Sequence, residues 1–558
     1  MPALAALAAC RRSVTGAALI ASVTLSPGGL LAAVIQVPGQ HTTIQSGIAA
    51  AAPGDTVLVA NGTYTGAGNR DLSFGGKNIV VRSAGGPASC FIDAGNAGRG
   101  FVFTGAEPPS ARLEGFTITR GFHASAGGGI YVSGSNVTIA DCIVVNNGTG
   151  QGAAGTSGVP GGDGGDGGGA YVTSGAPTFL RCTIDANHTG AGGAGYVSAS
   201  GPGGSSGGHG GSGGGIHVGL GCAVKLTNCI VTGNTSGAGG QGGSSVVCVP
   251  PLGCQTFGEN GGRGGDGAGL YNESMVEAVN CLFAGNQTGQ GGAAGFGSGL
   301  PLPSPGRGGD GAAWHGGLVD SKVVNCTVAA NLAAPAGPAG QPAGTGGGIL
   351  GSPTVVNSIL WGNNSTAVGP LAQVTYSDIE GGFAGTGNLA VDPLFVAPLG
   401  GNFRLQTFSP CVDAGNNAAV PVGSTTDLDG HPRIVDGNLN GTAEVDMGAY
   451  DMDPKTSGTG AEWMVPTAIV AAFEPANGGP VRVHYRIGPL GATARLDVYD
   501  VTGRHVAVLA QEWHAAGEYT RRWERRTAAG TPAARGIYFV HLSAAGVQDT
   551  KKLLLLRR

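Results

Sequence analysis

Gly127-Gly128-Gly129-Ile130-Tyr131-Val132 and, a little further on, Cys142-Ile143-Val144-Val145-Asn146 form a pair of blocks that the chain repeats. The opening block returns as Gly167-Gly168-Gly169-Ala170-Tyr171-Val172, Gly213-Gly214-Gly215-Ile216-His217-Val218, Gly267-Ala268-Gly269-Leu270-Tyr271-Asn272, Gly311-Ala312-Ala313-Trp314-His315-Gly316 and Gly346-Gly347-Gly348-Ile349-Leu350-Gly351. The second block returns as Cys182 to Asn187, Cys229 to Asn234, Cys281 to Asn286, Cys326 to Asn331 and Ser358 to Asn363. Spacing inside a pair barely varies, while spacing between pairs varies widely and the excess always follows the Asn. A fixed-period unit of this kind is the signature of a solenoid. The short β-branched runs Val137-Thr138-Ile139 and Ile143-Val144-Val145 predict strands, each pairing with its equivalent in the next coil about 4.8 Å away. Register is fixed where one face is buried, whereas a corner loop grows at a cost of only about 0.6 kcal/mol per doubling. The fold class expected is therefore all-β: a right-handed parallel β-helix with Gly-rich loop insertions at one corner. The recurring Asn suits a turn, where it tolerates a left-handed backbone and stacked copies bond along the column. The opening glycines suit close approach or positive φ.

Composition agrees. Of 558 residues 111 are Gly, with 41% apolar and 11% charged residues, against a usual Gly share of roughly 7% and a charged share of roughly 25%. Disorder needs high charge and low hydrophobicity, collagen needs a strict Gly-X-Y period that is absent, and each Gly inside a helix costs about 1 kcal/mol. Nothing resembles a nucleic-acid module, and the body is mildly acidic: residues 455 to 558 hold 14 Lys and Arg against 8 Asp and Glu, in a chain of net charge −5.

Residues 1 to 33 read as a secretory signal: Arg11-Arg12, an apolar run from Val14 to Leu25, then Leu31-Ala32-Ala33. No later segment supplies the roughly 18 apolar residues of a transmembrane helix. Of the 11 cysteines, Cys142, Cys182, Cys229, Cys281 and Cys326 recur at one place and predict a buried column. Cys248 and Cys254, flanking Val-Pro-Pro-Leu-Gly, are the disulfide candidates.

The β-helix is expected over residues 34 to 453, with a short helix near Ile44 to Ile48 covering its first end and coils continuing through Ile379. The paired blocks resemble the polymorphic outer-membrane protein repeat, and Thr43 to Tyr64 resembles the start of pectate-lyase-like β-helices. Asp392-Pro393-Leu394-Phe395, Ser409-Pro410-Cys411-Val412-Asp413-Ala414-Gly415, Asp429-Gly430-His431-Pro432-Arg433 and Val445-Asp446-Met447-Gly448-Ala449-Tyr450 resemble the closing module of bacterial surface β-helix proteins, from about residue 388. A linker is expected over 454 to 475. Residues 476 to 558 alternate strands and turn signals at sandwich spacing. Val501-Thr502-Gly503-Arg504, Gly536-Ile537-Tyr538-Phe539 and the final Lys551-Lys552-Leu553-Leu554-Leu555-Leu556-Arg557 are similar to Ig-like domains related to flagellar hook-cap proteins and to type IX secretion sorting domains. That resemblance implies export machinery as a partner and a bacterial protein that is secreted or held at the cell surface or outer membrane.

Candidate chemistry is sparse. The phrases Gly261-Gly262-Arg263-Gly264-Gly265-Asp266 and Gly306-Arg307-Gly308-Gly309-Asp310 resemble the calcium-binding nonapeptide. Stacking puts Asp266 and Asp310 on neighbouring rungs, where a shared Ca²⁺ relieves their repulsion. Asp436, Asn438 and Asn440 supply oxygens at positions one, three and five of a calcium-type loop with Gly441 at six. Position twelve is Met447, which excludes a true EF-hand and leaves Glu444 and Asp446 as the remaining candidate ligands. Ca²⁺ is thus the cofactor candidate, and none is required by the fold. Tyr131, Tyr171, His217, Tyr271 and Trp314 predict an aromatic stripe on which sugar rings stack. No catalytic residue is assigned, since Asp141, Arg181, Asp185, Lys225, Glu277 and Lys322 are scattered over the strands. The leading function is non-enzymatic, a structural or adhesive surface protein meeting cell-surface polysaccharide. The rival is a polysaccharide-binding or pectate-lyase-like polysaccharide-degrading enzyme, a lyase or glycoside hydrolase.

Overall fold

The computed structural model describes residues 32–249, 253–299, 302–317, 320–337, 340–365, 367–452, 468–473, 480–487, 492–514, 517–544 and 547–555. Most of the expected signal and linker lie outside them.

The chain is the parallel β-helix that the spacing predicts. The coils stack into three parallel sheets, of 11, 10 and 7 strands, and seven of them contribute one strand to each. In the coil quoted first the strands are Ile130–Ser133, Thr138–Ala140 and Ile143–Val145. Each pairs in register with the next coil: Tyr131 with Tyr171, Ile139 with Phe179, Val144 with Ile184. Right-handed crossovers are the rule for parallel strands of one sheet. Alternation sends Ile130, Val132, Ile139 and Val144 into a continuous core that runs from Val37 to Ile379. The first end is covered as expected by the helix Ile44–Ala50, which starts on a Thr43 capping box and buries Ile44 and Ile48.

The column of cysteines is buried and unbridged, while Cys248 and Cys254 form the disulfide across a hairpin of Ser244–Val249 and Gly253–Gly258. The Asn column is buried as well: Nδ2 of Asn147, Asn187, Asn234, Asn286 and Asn331 each donates to Oδ1 of the next, at 2.9–3.0 Å. The left-handed backbone belongs to the residue before it, Asn146, Ala186, Gly233, Gly285 or Ala330. In the first copy the ladder residue is therefore Asn147, and Asn146 makes the bend.

The insertions after the Asn are not loose loops. Each leaves the coil along one extended leg and returns along another, and the legs of successive coils stack into two layers. In the returning legs Gly161, Gly164 and Gly167 donate to Ser206, His209 and Ser212 of the next coil. In the leaving legs Gly192 and Gly195 donate to Ala238 and Gln241. Between layers, Gly190, Gly193, Gly208 and Gly211 donate to Gly165, Gly162, Gly193 and Gly190. Partners recur every third residue, the period of an extended threefold helix. Such a backbone bonds nothing internally, so here its polar groups are satisfied sideways. Legs this close exclude side chains, both between layers, where a Cβ on Gly210 would stand 1.9 Å from the Gly237 oxygen, and within one, where a Cβ on Gly211 would stand 1.9 Å from the Gly165 oxygen. Thr149, Thr189, Ser236 and Thr288 pin the layers by donating to Gly165, Gly211, Gly265 and Gly309.

Residues from Phe395 double back over the outer face of the ten-stranded sheet. There Phe395, Phe403, Leu405, Met447 and Tyr450 share a second core with Leu282, Ala329 and Ile359. Asn280 bonds Ser424 and Thr426, and Asn357 bonds Asn416, across the contact. Beyond residue 467 the described strands form two antiparallel sheets, of three and four strands, around Val483, Tyr485, Leu496, Val498, Val540 and Leu542. Among the described residues no helix is long and apolar enough to cross a membrane.

Candidate functional site

The seven-stranded sheet turns its outward positions toward the returning legs. At the corner stand Gly167, Gly213, Gly267 and Gly311, all at positive φ. A Cβ at Gly127 or Gly167 would strike the ring carbons of Tyr131 or Tyr171 within about 3.2 Å, so these glycines let the legs swing close beside the rings. The result is a trough along the solenoid axis. One wall is the register-matched column Tyr131, Tyr171, His217, Tyr271, His315. The other carries the columns Asp166, Ser212, Asp266, Asp310 and Asp163, His209, Arg263, Arg307, linked rung to rung by bonds such as Ser212 N to Asp166 Oδ1 and Asp310 N to Asp266 Oδ1, both 2.7 Å.

The rings stack on one another, with centroids 6.1, 4.5, 4.7 and 5.4 Å apart and planes within 30°. The Arg99 guanidinium covers the outer face of Tyr131 at 4.7 Å. Ring faces are thus occupied by neighbouring rings, where sugars were expected to stack on Tyr131, Tyr171, His217 and Tyr271; the tyrosine rings are part-exposed, whereas His217 is buried, and Nδ1 of His217 and of His315 is buried without a partner among the described residues. Trp314 leaves the stripe altogether. It pairs with Leu270 and Ile349, points inward and is 1% exposed, because it occupies the Ile position of the repeat, and His315 takes the Tyr position. Burial pushes the His217 pKa down to about 3 and holds the ring neutral. The Tyr271 phenol is raised to about 12, by burial first and then by Glu273, which its hydroxyl bonds.

Asp266 and Asp310 do occupy neighbouring rungs, but guanidinium groups stand where Ca²⁺ was expected. Arg263 Nη2 lies 3.5 Å from Asp266 and 3.3 Å from Asp310, and Arg307 Nη2 lies 2.8 Å from Asp310. At the second calcium candidate the oxygens engage the backbone. Asp436 turns both oxygens onto the Asn440 and Gly441 amides, Asn438 caps Asn440, and Asn440 caps Thr442. Glu444 lies in the strand Glu444–Val445, and the residue after that strand, Asp446, is buried and accepts from Asp413 N and Met452 N. Oxygens of Asp436, Asn438, Asn440 and Asp446 thus all accept from backbone amides.

Asp446 belongs to a buried acidic group with Asp427, Asp451 and Arg433, whose Nη1 lies 2.6 Å from Asp451 Oδ2. Burial raises the Asp446 pKa to about 7 and raises Asp451 and Asp427 too. A carboxyl whose folded pKa is raised stabilises below its unfolded value near 4, and that stability is lost as pH rises through about 7. The expected result is a lower melting temperature at pH 8 than at pH 5, with a flatter slope in Asp446→Asn; equal slopes in both proteins would show that this group is not responsible.

No protein-family model matches the chain, and no curated protein does. Among solved structures, the crystal structure of pectate lyase Pel9A aligns with 76% of this chain and 98% of its own at 14% identity and a TM-score of 0.37. The enzymatically active domain of bacteriophage CBA120 tailspike protein 4 aligns with 89% of this chain and 63% of its own, at 10% identity and a TM-score of 0.16. Neither likeness bears on ligand; the β-helix rests on the strand register.

Proposed function

We propose that this is an exported surface β-helix with an adhesive role, which holds a glycan chain in the trough without cleaving it. The observation that carries the reading is the column Tyr131, Tyr171, His217, Tyr271, His315, in which the part-exposed Tyr131, Tyr171, Tyr271 and His315 stand beside a column of side-chain oxygens and only His217 is buried. The spacing is about 4.8 Å, comparable to the length of one sugar ring. A repeating polyol chain is matched by repeating donors and acceptors, with few groups fixing orientation. The non-cleaving role is supported by the state of the charges: Asp266, Asp310, Arg263 and Arg307 are paired with one another. Export is supported by the N-terminal signal pattern, and display by the resemblance of the C-terminal strands to sorting domains.

The test is a glycan array probed with the full chain, followed by assays for reducing ends and for ultraviolet-absorbing unsaturated products. Binding without turnover is expected; turnover would establish the degrading alternative. The triple variant Tyr131→Phe, Tyr171→Phe, Tyr271→Phe keeps the stack and removes three hydroxyls. At about 1 kcal/mol per bond, it should weaken glycan binding by at least tenfold with little change in melting temperature. Undiminished binding would move the site elsewhere.

A further inference from the structure

A cleft of about 320 Å³ opens between the ten-stranded sheet and the turn of the segment folded over it, lined by Arg181, Thr183, Asn228, Ile230, Leu428 and Asp429 among others. This volume lies at the small end of ligand pockets, enough for one ring and not for a chain. Its polar groups are already fixed from behind. Arg181 is gripped by both oxygens of Asp141 through Nε and Nη2, each at 2.7 Å, which leaves Nη1 without a partner among the described residues. Asp429 is gripped in the same way by Arg404. Each carboxylate oxygen of Asp429 retains a further lone pair. Both charges are therefore neutralised by partners that do not line the cleft, while Arg181 on the solenoid wall keeps a free donor and Asp429 on the opposite wall keeps free acceptor capacity. The Thr183 hydroxyl and the Asn228 amide stand beside the first. Ile230 and Leu428 supply apolar surface between them.

We infer that this cleft is a second binding site, separate from the trough, for a single neutral cyclic polyol such as one uncharged sugar residue. A guanidinium edge and a carboxylate edge bind vicinal hydroxyls as acceptors and donors respectively, and the apolar pair packs against the carbon face of a ring. An anionic sugar meets Asp429, and a cationic one meets Arg181, with both counter-charges already engaged. In the same seam, among the described residues, Asn280 Oδ1 and both amide atoms of Asn325 are buried without partners. Because the site joins two parts of the chain, its ligand should tighten the folded-back segment onto the sheet.

Saturation-transfer NMR of the full chain with glucose, galactose, mannose, galacturonate and glucosamine tests the inference. A neutral sugar is expected to bind, with signals abolished in Ile230→Trp, which fills the cleft, and weakened at least fivefold in Thr183→Val. The triple Phe variant of the trough should leave them unchanged. No neutral binder, a preference for galacturonate or glucosamine, or signals indifferent to both cleft substitutions would each overturn it. Loss in the triple Phe variant alone would assign the sugar to the trough.

Discussion

Gly211→Ala should destabilise the glycine layers by about 3 kcal/mol, the upper part of the range for forcing an added carbon into a filled interior. The new Cβ would stand 1.9 Å from the Gly165 oxygen and 2.7 Å from its carbon. Those atoms are backbone, so no rotamer change relieves the contact. The Gly165 carbonyl also accepts from the Thr149 hydroxyl and from Gly190 N, and moving it breaks the pin between layers in two coils. Substitution at the outward position of the same three-residue period, Ala238→Ser, should stay within about 0.5 kcal/mol. Hydrogen exchange resolved by segment is the measurement. In Gly211→Ala the legs between residues 190 and 212 should lose protection, while the strands Ile216–Val218 and Ile230–Thr232 keep theirs. Equal protection in the two variants would mean that the layers are not close-packed.

Those layers were written in the sequence in a period that strand and helix templates do not contain. Alternation by two and recurrence at 3.6 find strands and helices; Gly161-Gly162-Asp163-Gly164-Gly165-Asp166 repeats by three. Read against the first two, it looks like an irregular fringe. The coil itself was legible because Ile130, Val132 and Val144 must stay inside in every copy, and the helix Ile44–Ala50 carried its own cap at Thr43. At the site, the aromatic column was legible as a column but not as a stack, since nothing in residue identity says whether rings on neighbouring rungs face one another or solvent. Trp314 shows the limit most plainly: chemistry drew it to the stripe, and register, one position away, put it in the core. The cleft was invisible, because Arg181 and Asp429 meet only through the segment that folds back, and no local pattern encodes that contact.

Asn234→Asp should be the most damaging single-atom change in the molecule, on the order of 5 kcal/mol near neutral pH, the scale at which buried charge and a broken network act together. Asn234 Nδ2 donates to Ile184 O at 2.9 Å and to Asn286 Oδ1 at 3.0 Å, while its Oδ1 accepts from Asn187 N and Nδ2, both at 3.0 Å. An aspartate keeps the acceptor and replaces the donor by a second oxygen, facing two oxygens with no solvent to relieve it. Asn234→Ala removes both and should cost less, about 3 kcal/mol, chiefly because the buried Asn187 N–H loses its acceptor. The two variants separate by pH. Burial without a cation raises the new carboxyl's pKa, so its folded value exceeds its unfolded one. Stability should then return as pH falls toward 4, where the protonated acid can donate again, and be lost as pH rises. Asn234→Ala should show no such added slope. In a double-mutant cycle, Asn187→Ala with Asn234→Ala should cost less than the sum of the singles, because each rung bonds the next. Strict additivity would mean that the amides stack without cooperating, and the ladder would then be a row of separate caps.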